Sequence, residues 1–182
     1  AQTQGFVGKK TLSFTKTAMN SHLTGQDPTL AAEEQDAGAP ACVLSFNAND
    51  PAGASGIGAD IATIAAMGAH ALPVITGILV RATAEIFESH EIDPDAVAEQ
   101  ARSVLEDATI AAWKVGFLGS PDNISRVAEI ASDYPEVPLI TYLADLSWWD
   151  ELSMDTYLDA MTELAEVTLD AAGHDPDSFT AR

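Results

Sequence analysis

The chain has 182 residues, of which 28 are Asp or Glu and 8 are Lys or Arg, giving a net charge of −20. A field of that sign repels nucleic acid and anionic membrane surfaces, which argues against either as a partner. No apolar run reaches the roughly 18 residues that a spanning helix needs, because Gly68, His70, Pro73 and Gly77 interrupt the longest one. With 47% hydrophobic residues the chain can bury a core; the lone Cys42 excludes an internal disulfide, and no His/Cys spacing points to zinc or another metal.

The opening differs from the rest. Residues 1–26 hold Lys9, Lys10 and Lys16 and no acid, and no Lys or Arg follows until Arg81. Residues 1–40 read as an extended or disordered segment and linker. Phe6, Leu12, Phe14, Met19 and Leu23 are too scattered to close a core but enough to dock singly into grooves of a protein partner subunit. A basic, hydroxyl-rich, acid-free start also resembles the border of a cleaved organelle-import peptide. That reading points to a mitochondrion, with a plain tail and a cytoplasmic setting as the alternative.

Residues 42–83 organise the chain. The apolar run Val43 to Phe46 meets Asn47-Ala48-Asn49-Asp50-Pro51-Ala52-Gly53-Ala54-Ser55-Gly56, after which Ile57, Ile61, Ile64 and Ala65 recur at helical spacing. This predicts strand, glycine loop and helix. Leu72 to Val80 is charge-free and β-branched, which predicts a parallel strand covered on both faces. The loop then lies at the carboxyl end of the first strand, where open α/β sheets place ligands, and helix-entering N–H groups suit a polar or anionic group.

Residues 84–93 read as an irregular connection. Asp93 with Pro94, and Ser120 with Pro121, are cap-then-proline signals for two helices. Val97, Ala98, Ala101, Val104 and Leu105 form the stripe of the first, and Ile124, Val127, Ala128 and Ala131 that of the second. Strands are expected at 42–47, 72–80, 112–118 and 138–143, and a last helix at about 153–169. Paired Trp148 and Trp149 read as a lid over a core edge. The alternation implies an α/β fold, a three-layer, doubly wound and mostly parallel sheet over 41–169, followed by a polar tail at 170–182.

Three segments resemble one family. Asn49-Asp50-Pro51-Ala52-Gly53-Ala54-Ser55-Gly56-Ile57-Gly58-Ala59-Asp60, Val74-Ile75-Thr76-Gly77-Ile78 and Ala112-Trp113-Lys114-Val115-Gly116-Phe117-Leu118-Gly119-Ser120 are similar, in order and spacing, to the hydroxymethylpyrimidine/phosphomethylpyrimidine kinases of thiamine synthesis. These are ribokinase-like enzymes, and the similarity covers about 41–143. The resemblance implies a truncated ribokinase-like fold in which Asp50, Gly53, Gly56, Asp60, Arg81 and Phe117 line the substrate position. Taken alone, Asp50 with Pro51 also reads as a turn, and Asp60 as a carboxylate favoured early in a helix.

The departures matter as much. Arg81 and Ala82 stand where the family carries Gln and Asn, and Phe117 stands for a Met. Tyr142 and Leu143 occupy the place of an Asp-Pro turn, and no phosphate-cradling glycine segment follows Gly119. The resemblance therefore implies no catalytic residue in this chain, and ATP and Mg only where another chain supplies the phosphate half. The favoured expectation is a non-catalytic structural or interaction subunit of a larger assembly, with a small-molecule ligand permitted. The alternative is the substrate-binding half of a pyrimidine kinase completed by another chain.

Overall fold

A computed structural model of the protein describes residues 39–142, 146–171 and 173. The chain divides into Ala1–Ala37 and Gly38–Arg182; the described elements all belong to the second unit, and the expectations for 1–26 and for most of the tail lie outside the described residues. The elements are β1 (Cys42–Asn49), α1 (Gly56–Ala66), β2 (His70–Arg81), β3 (Ile86–Glu91), α2 (Pro94–Leu105), β4 (Ile110–Val115), α3 (Pro121–Ser132), β5 (Leu139–Thr141) and α4 (Glu151–Ala171). They form one mixed sheet in the order β3-β2-β1-β4-β5. The pairs β1–β2, β1–β4 and β4–β5 are parallel, and β2–β3 is antiparallel.

Strand alternation separates the two faces. Leu44 and Phe46 of β1 lie beside Val74 of β2 and beside Trp113 and Val115 of β4. All are buried in one cluster with Val97, Ala98 and Ala101 of α2, Ile124 and Val127 of α3, and Tyr157, Met161 and Leu164 of α4. Ser45 and Asn47 point the other way, toward α1. From β1 the chain moves to β2 in one direction, whereas β4 and β5 lie in the other, so right-handed crossovers place α1 and α3 on opposite faces.

Two expectations are corrected. The stretch 84–93 is not irregular: Ile86–Glu91 forms an antiparallel edge strand, with Leu79 opposite Ser89 and Val80 opposite Glu88. Its residues Glu88, Ser89, His90 and Glu91 carry no apolar alternation, because an edge strand facing water does not require one. Nor is β2 covered on both faces. Ile75, Ile78 and Val80 are 38%, 44% and 42% exposed, since α1 is the single helix on that face among the described residues.

The cap signals hold. Asp93 accepts hydrogen bonds from the N–H groups of Asp95 and Ala96 at the start of α2, and Ser120 accepts from Asn123 N at the start of α3. Asn123 is fully buried and its Nδ2 donates to the carbonyls of Leu118, Ile92 and Thr76 at 2.9, 3.1 and 3.4 Å. One side chain thus ties the middle of β2 to the segments that leave β3 and β4.

On α4, Tyr157 is 1% exposed and its Oη accepts from Leu118 N at 2.9 Å. Burial pushes its pKa from 10.0 up to about 12. The folded state therefore holds the neutral phenol where the unfolded chain has already ionised, so stability is intact below pH 10 and falls above it. The expected slope is about 1.4 kcal/mol per pH unit between pH 10 and 12. Urea unfolding at about pH 9 and about pH 11 checks this, with Tyr157→Phe losing most of the slope.

Candidate functional site at the carboxyl edge of the sheet

The loop after β1 is built on Asp50, whose side chain is fully buried. Its Oδ1 accepts from Ala52 N at 2.9 Å, and its Oδ2 accepts from Ser55 N at 3.1 Å and Ser55 Oγ at 2.8 Å. Because the Ser55 hydroxyl is committed there, it does not cap α1, whose first N–H groups have no side-chain cap. Gly56 takes φ +72°, and a Cβ there would lie 2.6 Å from the carbonyl of Ala48. The loop therefore seats directly on the end of β1.

Arg81, the last residue of β2, reaches across to this loop. Its Nη1 lies 3.1 Å from Asp50 Oδ2, its Nε donates to the carbonyl of Ala82 at 3.0 Å, and its Nη2 donates to that of Thr83 at 3.2 Å. The guanidinium joins the glycine loop to the turn between β2 and β3 while only 12% exposed.

A second polar group lies between α1 and the sheet. Asp60 Oδ2 accepts from Ser45 Oγ at 2.8 Å, Asn47 Nδ2 at 2.9 Å and Lys114 Nζ at 2.8 Å. Three donors, one of them cationic, hold the carboxylate. Its Oδ1 accepts nothing from the described residues, and 13% of the side chain is exposed. Asn47 also accepts through Oδ1 from Ala48 N and Phe117 N. It fits only because residue 116 is glycine, where a Cβ would fall 2.4 Å from its amide nitrogen.

The sequence-read residues thus divide. Asp50 and Arg81 meet directly, with Gly53 and Gly56 in the loop that Asp50 folds; Gly53 has open space around it. Asp60 faces β1 and β4, with no hydrogen bond to Asp50 or Arg81. Phe117 is 6% exposed, its ring packed among Trp148, Trp149 and Tyr157 at centroid distances of 5.2–5.8 Å. Only its N–H reaches the polar group. Sequence reasoning missed Ser45, Asn47 and Lys114. The available signal was a lysine inside an apolar strand, at the same register parity as Ser45. Among the described residues no three His, Cys, Asp or Glu side chains gather as metal ligands, and no helix is long and apolar enough to cross a membrane.

A mostly parallel sheet with a glycine loop and helix entry at the carboxyl end of its first strand places this domain in the class of doubly wound α/β folds. Solved structures agree on the fold. A phosphomethylpyrimidine kinase from Clostridium difficile 630 is 21% identical with a TM-score of 0.58, covering 71% of this chain and 73% of that one. A pyridoxal kinase from Bacillus subtilis, in an ADP complex, is 18% identical with a TM-score of 0.61, covering 75% and 57%.

The sequence profile described as phosphomethylpyrimidine kinase matches residues 50–144, about half of the chain. The chain belongs to that family. The hydroxymethylpyrimidine/phosphomethylpyrimidine kinases of Salmonella typhimurium and Escherichia coli are 38% identical over 86 residues and 37% identical over 91, covering 47% and 50% of this chain. This chain spans about a third of the length of those relatives, 32% and 34%.

Proposed function

We propose that this domain forms the substrate-side half of a small-molecule kinase site, holding a small heteroaromatic alcohol at the carboxyl edge of β1, β2 and β4. Phosphoryl transfer is left to groups beyond the described residues. The observation that carries the reading is Asp60, pinned through one oxygen by Ser45, Asn47 and Lys114 and open at the other. A carboxylate held in that way is an oriented acceptor for a ring N–H or amino group. The relatives are named as kinases of substituted pyrimidines and the structural neighbours include a pyridoxal kinase, which supports a ring-shaped ligand.

Calorimetric titration of the full chain with 4-amino-5-hydroxymethyl-2-methylpyrimidine and its 4-oxo counterpart tests this. At least one is expected to bind, and Asp60→Asn to weaken it about tenfold or more, as removal of a charged acceptor does. Binding indifferent to that substitution would sink the proposal.

A second reading, an interaction subunit of a larger assembly, draws on a different observation. On the side of the sheet that carries α1, Ile61, Met67, Ile140 and Tyr142 are 40%, 82%, 61% and 64% exposed. A protein partner covering that face would bury them.

A further inference from the structure

We infer that the outer face of α1 is the contact through which two copies of this chain pair. The inference is independent of the ring-binding reading, and it gives the interaction reading above one occupant, a second copy of the same chain.

The distribution of charge carries it. Of the 28 acidic residues only Asp60 lies between Asp50 and Glu85, and Asp60 is turned inward onto Ser45, Asn47 and Lys114. What α1 shows to solvent is Gly58, Ile61, Ala62, Thr63, Ala65 and Ala66, with no charge among them. The other helices differ: α2 exposes Glu99, α3 Glu129, and α4 Asp159 and Glu163. A helix with no charged outer side is ordinarily a covered helix. Here Ile61 is 40% exposed, and Met67, which follows the helix, is 82% exposed. The apolar surface continues onto the sheet. Ile75 and Ile78 stand in register with Asn47 and Asn49 of β1, so they share the face that carries α1, and both are exposed.

Charge also selects the occupant. A partner held by opposite charge would need acids to meet, and the outer side of α1 offers none. Two copies of a chain with net charge −20 repel wherever their acidic surfaces meet. Self-association is therefore confined to a face that brings no carboxylate to the seam, and among the described helices α1 provides it. The helix also suits a two-fold pair, in which one patch meets itself. Ile61 is the middle residue of Gly56–Ala66. An axis passing beside it sets the two helices across each other with Ile61 of both copies at the centre, where the small neighbours Ala62 and Ala65 leave room for it.

Sedimentation velocity of the full chain tests this, over a range of micromolar concentrations in KCl at about 0.1 M and at 1 M, between which the screening length falls from about 10 Å to about 3 Å. A reversible dimer is expected, at least about tenfold tighter at the higher salt, because screening relieves the repulsion of the acidic surfaces beside the seam. Ile61→Glu and Ala62→Glu each set a carboxylate against its own counterpart, and both are expected to give a monomer with unchanged circular dichroism. Val167→Glu adds the same charge at an exposed position of α4 and is expected to leave the dimer intact. The salt dependence of the wild type is read without any variant. A monomer under every condition overturns the inference and leaves the interaction reading to a partner other than this chain. A dimer that weakens with salt overturns it, as does one that survives both α1 substitutions; loss of that surviving dimer in Ile140→Glu would move the contact to the β5 side.

Discussion

Replacing Trp113 by alanine is expected to destabilise the domain by about 3–5 kcal/mol, enough to lower its melting temperature by about 10 °C or more. Trp113 is the largest fully buried side chain among the described residues, 1% exposed. It sits mid-strand in β4 with its ring parallel to Phe46, centroids 5.6 Å apart and planes within 3°, and tilted against Tyr134 at 5.8 Å. Its backbone N–H is committed to Pro138 O, so the strand ladder survives the substitution and the loss measures packing alone. The indole Nε1 has no hydrogen-bond partner among the described residues. Trp113→Phe removes that unmatched donor while keeping a ring against Phe46, so it should cost much less, under about 1.5 kcal/mol. Chemical denaturation of the two variants checks the contrast. A phenylalanine variant as unstable as the alanine one would mean that the indole nitrogen does find a partner.

The same region shows what a sequence discloses. Strand, loop and helix over 42–66 were legible because each has its own local signature: an apolar run, a cluster of turn formers, and a helical recurrence of isoleucine. The caps at Asp93-Pro94 and Ser120-Pro121 were legible for the same reason. What local patterns could not reveal was the rotation of α1. Its isoleucine stripe predicts that Ile61 faces the sheet, but Ile61 is 40% exposed and Asp60 turns inward instead. The cause lies elsewhere in the chain, in Ser45, Asn47 and Lys114, which offer three donors beneath the helix. A buried polar surface must be matched, and that requirement overrides the apolar moment of the helix. Similarly, Asp50 and Arg81 were each recognisable as site positions, whereas their pairing across 31 residues follows from strand register, which is a property of the whole sheet.

Gly56→Ala is expected to disrupt the site and the fold together, at about 3 kcal/mol or more. Two costs combine. The residue holds φ +72°, a left-handed conformation that costs a side chain roughly 1–2 kcal/mol. The added Cβ would also lie 2.6 Å from Ala48 O, 2.8 Å from Asp50 Cβ and 2.9 Å from Asp50 N. These are the end of β1 and the root of the loop, and none is the far end of a flexible side chain. Relief therefore requires lifting the loop, which would pull Ser55 away from Asp50 Oδ2 and leave Arg81 facing a displaced carboxylate. Gly53→Ala separates the two costs: Gly53 has φ +67°, but a methyl group added there would meet nothing within 4 Å, so only the conformational part applies. Urea unfolding of both variants should place Gly56→Ala well below Gly53→Ala in stability, with ligand binding lost in the former and largely retained in the latter. Equal stability of the two would mean that the close seating of this loop on β1 is not what holds Asp50 and Arg81 together.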